Sequence, residues 1–444
     1  MHIFMADSIV SNGQVLQAHG LLVEKGRILK LAPLQELTTQ APQAPVVNFA
    51  DAMIIPGLVN SHNHSFQSLL KGFCDDCDFF TWRDQALYKY AKVLSRDDIY
   101  TGALFAFGEM LKCGITTVCD FFYINDQAND NANAVIEAAL DLGIRIVMAR
   151  TLYDWDGAPT RFRETLHQAV KNTRDLHQEF SGNPMVSVIP APHSLHGAST
   201  DLILAGAELA EELNTPFHMH IAEGEYERKM IEEKHGKPPI AFLDELGMLN
   251  QRLVGIHCVW LDDREISLMA ERGTGLSYNP SSNMFLGDGI TRIKEMLEAG
   301  IRISLGTDGG CSNNRASIIE EMRMTSLLQK VKFCNSTVTR AEDMFRMGTL
   351  NGGQNLGLPV GDLAEGFHAD FTVIDLNDLS MQPRQNALKN LVYSSQPSAI
   401  RAVYVAGEKV FESGHILTVP EADIVRRVQH LTHNWTTSDR TPAL

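Results

Sequence analysis

Eight short apolar runs rich in β-branched residues recur between residues 52 and 306, and segments with helical periodicity separate them. They are Ala52–Ile55 leading into Pro56–Gln67, then Ile115–Asp120, Ile144–Ala149, Met185–Pro190, Pro216–His220, Leu253–His257, Gly275–Tyr278 and Ile301–Gly306. Strands alternating with helices predict a parallel sheet with crossover connections. Eight such units predict an α/β fold of the closed (β/α)8 TIM-barrel type rather than an open doubly wound sheet. No glycine-rich dinucleotide fingerprint follows any of these runs, which removes the main reason to expect a nucleotide-binding sheet. Helix starts are legible as well: Ser95-Arg96-Asp97-Asp98 has the form of a capping box ahead of a long periodic segment.

The chain ends have a different texture. Gly20–Lys30 reads as a hairpin turning near Lys25-Gly26, and the same short-strand pattern returns in Ala369–Leu376 and Ala402–Phe411. Each end alone has too few strands to bury a face. Residues 1–55 and 365–419 are therefore expected to meet in one small β-sandwich domain beside a catalytic barrel of residues 56–364, with a C-terminal helix and polar tail over 420–444.

A formal net charge of −16 over 444 residues, with few clustered basic residues, argues against a nucleic-acid partner. With no run of 18 apolar residues and no signal-like N-terminus, the expectation is a cytoplasmic protein with no membrane partner. Seven cysteines, an odd number scattered along the chain, do not form a disulfide framework, and Cys74-Asp75-Asp76-Cys77 is expected to be a pair of free thiols.

Barrels of this type place their chemistry at the C-terminal ends of the strands. Read in order, those ends carry His62 and His64, Tyr123, His193 and His196, His220 with Glu223, His257, Asn279 with Asn283, and Asp308. One strand-end histidine is more often structural than functional. Five strands delivering metal-compatible or acid–base groups at the same end are hard to explain that way. His62 and His64 share a face because alternate strand residues do. With His220 and Asp308 they make a three-nitrogen, one-carboxylate set that leaves a position open for water, as a catalytic site requires. His218 is a rival ligand ranked below His220, which alone pairs with Glu223 at His-x-x-Glu spacing. Glu223 is placed to shuttle protons, His257 to orient the attacking oxygen or polarise the substrate, and Asp308 to serve both as ligand and as proton acceptor.

With these residues in hand, the chain resembles the amidohydrolase superfamily, in its aromatic-deaminase-like branch, over nearly its whole length. The matching motifs are Pro56-Gly57-Leu58-Val59-Asn60-Ser61-His62-Asn63-His64, His220-Ile221-Ala222-Glu223, Gly255-Ile256-His257-Cys258, Asn279-Pro280-Ser281-Ser282-Asn283 and Gly306-Thr307-Asp308. The resemblance implies metal ligation by His62, His64, His220 and Asp308, a catalytic pair in Glu223 and His257, and hydrolytic removal of ammonia, occasionally chloride, from an amidine-like carbon. It also implies a homodimer. Relatives with two metals carry a bridging lysine or glutamate near the third or fourth strand end; Pro190–His196 offers none, so one divalent ion per chain is expected, zinc first, with iron or manganese as alternatives.

For the substrate, Gln67, Trp82-Arg83, Asp120–Tyr123 and Ala191–Leu195 locally resemble formiminoglutamate deiminases, which hold an amino-acid substrate with such Gln, Arg and Tyr positions. Where those enzymes carry an arginine for the carboxylate, this chain has His196, a poor replacement for a bidentate guanidinium. Phe79, Phe80, Trp82, Phe121 and Phe122 could instead wall a flat ring. Gln67, Trp82, Arg83, Tyr123, His193, His196 and Asn283 are the expected substrate contacts. The reading that follows is a metal-dependent aminohydrolase of an aminated purine, pterin, pyrimidine or triazine. The alternatives are a deiminase of an acyclic amidine, a chlorohydrolase, and a non-catalytic metal-binding barrel.

Overall fold

The computed structural model describes residues 1–438 of the chain, so the last residues, 439–444, of the helix and polar tail expected over 420–444 lie outside the described residues. Eight parallel strands form the barrel: β1 (Leu58–His64), β2 (Ile115–Phe122), β3 (Arg145–Leu152), β4 (Val186–Pro192), β5 (Phe217–Ile221), β6 (Leu253–His257), β7 (Gly275–Tyr278) and β8 (Ile303–Leu305). Every residue of β2 and β3 is buried, as expected for strands covered by helices outside and by side chains within. The ladder runs in two arcs, β1 to β4 and β5 to β8. A bridge between Ser194 and His220 closes one seam, and Asp308–Gly309 pairing with Asn63–His64 closes the other. Both seams fall at the C-terminal mouth, on or beside residues expected to bind metal.

The two chain ends meet in one nine-stranded sheet. Its strands Val46–Pro56 and Phe371–Asp375 pair antiparallel, which joins the N- and C-terminal halves directly. The run Ala52–Ile55 pairs within this sheet and leads into the first barrel strand. The chain changes partner at Pro56-Gly57, where a Cβ on Gly57 would lie 2.0 Å from Thr116 Oγ1, so only glycine lets β1 start beside β2. The sheet folds over its own apolar core, with Phe4 against Phe371 (5.0 Å between ring centroids) and Tyr404 (5.2 Å). The hairpin expected at Lys25-Gly26 is present, both residues having positive φ, as a primed turn requires.

A buried bidentate pair, Arg145 Nε to Asp370 Oδ2 (2.7 Å) and Nη2 to Oδ1 (3.0 Å), ties the start of β3 to the sheet. Ser95 and Asp98 form the expected reciprocal capping box on the helix Arg96–Lys112. The last helix, Glu421–Ser438, packs on that helix through Lys112 and Glu421 (2.6 Å) and stacks Trp435 on Tyr90. No helix among the described residues is long and apolar enough to cross a membrane, and Cys74 and Cys77 are free thiols.

Candidate active site and metal centre

Glycines and polar anchors set the site's geometry before any functional group is considered. Gly306 follows β8 at a point where a Cβ would lie 2.3 Å from Asn279 Oδ1 and 2.8 Å from both the Cβ and the backbone oxygen of His62. The approach of β8 to β1 thus depends on the missing side chain. Buried Asp120 at the end of β2 accepts from Asn63 Nδ2, Ser65 N and Ser65 Oγ, pinning the chain on both sides of His64. Burial raises its carboxyl to about 7 despite those bonds. Ala222, His257, Cys258 and Asp308 all have positive φ. Such backbone is costly for residues with a Cβ and persists where surrounding structure imposes it. Here it aims side chains inward at the ends of β5, β6 and β8.

Each expected ligand converges on one point. His64 donates through Nδ1 to Phe121 O (2.6 Å) and His220 through Nδ1 to His193 O (3.0 Å), which leaves both Nε2 atoms free to coordinate. His62 is fully buried with neither ring nitrogen hydrogen-bonded. Burial lowers its pKa to about 3, and burial also lowers those of His64 and His220, so all three are neutral imidazoles. Asp308 Oδ1 lies 3.4 Å from His62 Nε2 and 3.4 Å from His64 Nε2. Donors about 2.0–2.1 Å from a tetrahedral ion stand roughly 3.3–3.4 Å apart, so the spacing and the orphaned nitrogens of His62 fit a divalent metal. His62, His64 and His220 form one potential ligand cluster, and His62, His257 and Asp308 form an overlapping one. His218 stays out of both, its Nδ1 facing Cys119 Sγ inside the barrel.

Beside the cluster stand the acid–base groups. His257 Nε2 lies 3.5 Å from Glu223 Oε1 and 3.9 Å from Asp308 Oδ2. Its Nδ1 accepts from Asn283 Nδ2 (2.9 Å) and faces Asn279 Nδ2 (3.3 Å), so the ring hydrogen sits on Nε2 and points at Glu223. Burial raises the Glu223 carboxyl well above its usual range, and the charges of Asp288, Asp308 and Glu227 raise it further. Asp308 goes the other way: burial pushes it up, but His62, His257 and His64 hold it well below its usual value. Two carboxyls with pKa values driven apart mark a division between proton carrier and anion.

The cluster floors a cavity of about 280 Å³ whose lining includes Gln67, Trp82, Arg83, Tyr123, His193 and His196 from the expected substrate contacts. Gln67 Nε2 donates to Tyr123 OH (2.7 Å), and Trp82 Nε1 to Cys311 O (2.9 Å). Among the described residues Arg83 is the only Lys or Arg in the lining, yet it is ion-paired with its neighbour Asp84 (2.8 Å) and lies against the rings of Phe80 and Tyr88. Asn283 is the exception among the expected contacts. It is fully buried behind His257 and anchored on Asp288 Oδ2 (3.2 Å), because the helix it belongs to, Pro280–Phe285, directs its amide at the imidazole rather than into the cavity. Phe121 and Phe122 are core residues, whereas Phe79 and Phe80 do line the cavity. Tyr88, Tyr153, Phe162 and Tyr226 also line it, and Glu227 and Asp288 act on Glu223 from behind. Of these residues, only Glu227 left a sequence signal, one helical turn beyond Glu223.

A donor set of this kind at a barrel mouth, with a proton carrier alongside, defines a hydrolase that works with a divalent metal. Residues 53–410 match the sequence profile of the amidohydrolase family. A 5-methylthioadenosine/S-adenosylhomocysteine deaminase of Caldicellulosiruptor saccharolyticus is 31% identical over 413 residues, covering 93% of this chain and 92% of its own. A 5'-deoxyadenosine deaminase of Methanopyrus kandleri is 31% identical over 433 residues, 97% and 98% of the two chains. Among solved structures, an adenosine deaminase from Xanthomonas campestris with bound zinc superposes with a TM-score of 0.92 at 27% identity, over 98% of both chains. The chain belongs to the amidohydrolase family and is a hydrolase acting on carbon–nitrogen bonds.

Proposed function

We propose that the chain deaminates the adenine ring of an adenosine whose 5'-position carries an apolar group, a 5'-methylthio or 5'-deoxy substituent, releasing ammonia and leaving the 6-oxo purine. The observation that carries this reading is a Glu223–His257 pair on the floor of a cavity walled by aromatic rings and lined by no uncompensated cation. An acyclic formimino-acid needs a free cation for its carboxylates, and Arg83 is already engaged. The same arrangement disfavours the charged homocysteine end of S-adenosylhomocysteine relative to a methylthio group.

His62, His64, His220 and Asp308 would hold a single ion, proposed to be zinc. When bound, such an ion lowers the pKa of a coordinated water toward neutrality and polarises it for attack. Glu223 holds a proton at a carboxyl that burial keeps from ionising. It hands that proton to the ring nitrogen next to the reacting carbon, takes up one of the water's protons and delivers it to the departing amino group, and recovers its own proton from the attacking oxygen as that oxygen becomes the carbonyl. His257 donates from Nε2, steadying the attacking oxygen between itself and Asp308. The aromatic walls of Phe79, Trp82, Tyr153 and Phe162 exclude bulk water and hold the ring flat.

The same proposal assigns residues 56–364 to the catalytic unit and 1–55 with 365–419 to the sheet unit, acting in the cytoplasm as a homodimer. Gel filtration and elemental analysis test the dimer and the one-metal stoichiometry. The test of function is ammonia release by zinc-loaded protein from 5'-methylthioadenosine, 5'-deoxyadenosine, adenosine, S-adenosylhomocysteine, adenine and N-formiminoglutamate. The expected order puts the first two ahead. Turnover confined to the formimino-acid overturns the reading.

A further inference from the structure

His196 lines the cavity from the turn after β4, and behind it stands Glu227, whose side chain is entirely buried. Glu227 divides its carboxylate between two partners. Oε2 accepts the backbone N–H of Glu223 (3.0 Å), while Oε1 lies 3.3 Å from His196 Nδ1, an ion-pair contact short of hydrogen-bond geometry, and both of those buried atoms are without a hydrogen-bond partner. A carboxylate offers only lone pairs, so the imidazole meets it with Nδ1–H. The tautomer this selects leaves Nε2 with a bare lone pair on the cavity side of a ring whose side chain keeps 20% of its exposure. An acceptor is what the ring presents to a substrate.

Its position says what it can read. The rings of His220, His193 and His196 follow one another away from the metal cluster, 5.0 Å and then 5.8 Å between centroids. A heterocycle reacting beside His220 would lie against His193, with its substituent toward His196. The carboxyl groups in the cavity lining, Glu223 and Asp308, are committed to the proposed chemistry.

We propose that His196, tautomerically fixed by Glu227, accepts a hydrogen bond from the 2'- or 3'-hydroxyl of the substrate's sugar and so selects nucleosides over their 2'- or 3'-deoxy analogues. Glu227 acts as a positioning residue. The proposal rests on the adenosine reading above and specifies how that substrate is recognised.

The experiment compares kcat/KM for adenosine, 2'-deoxyadenosine and 3'-deoxyadenosine in zinc-loaded full-length wild type, His196→Phe, His196→Asn and Glu227→Gln. Wild type should favour adenosine over at least one deoxy analogue by about tenfold, the loss of one hydrogen bond. That ratio should fall to about one in both His196 variants and to an intermediate value in Glu227→Gln, a shift that a purely structural role would not produce. A wild-type ratio near one for both analogues, or a ratio unchanged in the His196 variants, overturns the proposal alone. Failure of wild type to turn over any adenosine overturns the function reading and this one with it. Independently of any variant's folding, 15N spectra of the wild type should show His196 protonated on Nδ1 and bare on Nε2; the opposite tautomer refutes the acceptor role.

Discussion

Gly306→Ala should uncouple metal binding from the fold. The glycine's φ is not positive, so the new methyl meets no backbone penalty and acts by volume alone. It would stand 2.8 Å from His62 Cβ and 2.8 Å from the His62 backbone oxygen, where ordinary contact is 3.4–4 Å. Relief therefore demands a shift of about 0.6 Å or more, and neither atom is the free end of a flexible side chain. Metal sites hold their ligand distances to within about 0.2 Å, so His62 Nε2 must leave the position that puts it 3.4 Å from Asp308. Overpacking of this kind costs about 1–3 kcal/mol of stability, which a domain of this size survives. Zinc affinity should fall about 10–100-fold, and kcat/KM at limiting zinc by about 100-fold or more. Gly309→Ala is the control: its methyl meets the amide end of Gln67 at 1.8 Å, a group that can rotate away, so zinc content should survive while the Gln67–Tyr123 bond is lost and KM rises. Zinc per chain by elemental analysis, melting temperature and steady-state kinetics read all three. Full zinc occupancy with wild-type kcat/KM in Gly306→Ala would refute the geometric reasoning.

Glu223→Gln should lower kcat/KM by about 10²–10⁴ with zinc content and melting temperature retained, since the amide mimics a carboxyl already held protonated; normal turnover sinks the proton-transfer role. Asn283→Ala removes the amide that fixes the His257 tautomer and should reduce kcat by about 10–100-fold with little change in KM, whereas a large KM effect with intact kcat would return Asn283 to direct substrate contact. Buried Glu321, which accepts from Ser281 N and Asn313 Nδ2 (both 3.0 Å), has its pKa raised to about 8 by burial. Between its unfolded value near 4.5 and about 8 the native state binds the extra proton, so its contribution is full below that window and lost as pH rises through it. Urea unfolding at pH 6 and 8.5 should show wild type losing more stability than Glu321→Gln, and parallel losses would refute the assignment.

The barrel was legible because its signal is periodic and long: β2 and β3 are fully buried, mostly apolar runs, and the capping box at Ser95 is local chemistry that needs no tertiary context. The candidate ligand cluster was legible because each expected ligand sits where a strand ends and because histidine and aspartate carry their chemistry wherever they point. What the sequence concealed is direction. The run Ala52–Ile55 leads straight into β1 yet pairs in the other sheet, a distinction composition alone does not carry, and the clash a Cβ on Gly57 would make with Thr116 marks the crossover. Asn283 was placed in the cavity because it follows a strand end, but one turn of the helix Pro280–Phe285 swings it behind His257. Arg83, expected to contact the substrate, does line the cavity, but its ion pair with its chain neighbour Asp84 shows only in the structure. Glu227 is the sharpest case. At four residues past Glu223 it reads as an ordinary first-turn acid on a helix. Its complete burial between the Glu223 backbone and His196 arises only when the turn after β4 is brought against the loop after β5. Residues whose role lies in their own functional group can be read from sequence, whereas residues whose role is to set another residue's tautomer, pKa or aim become visible only in three dimensions.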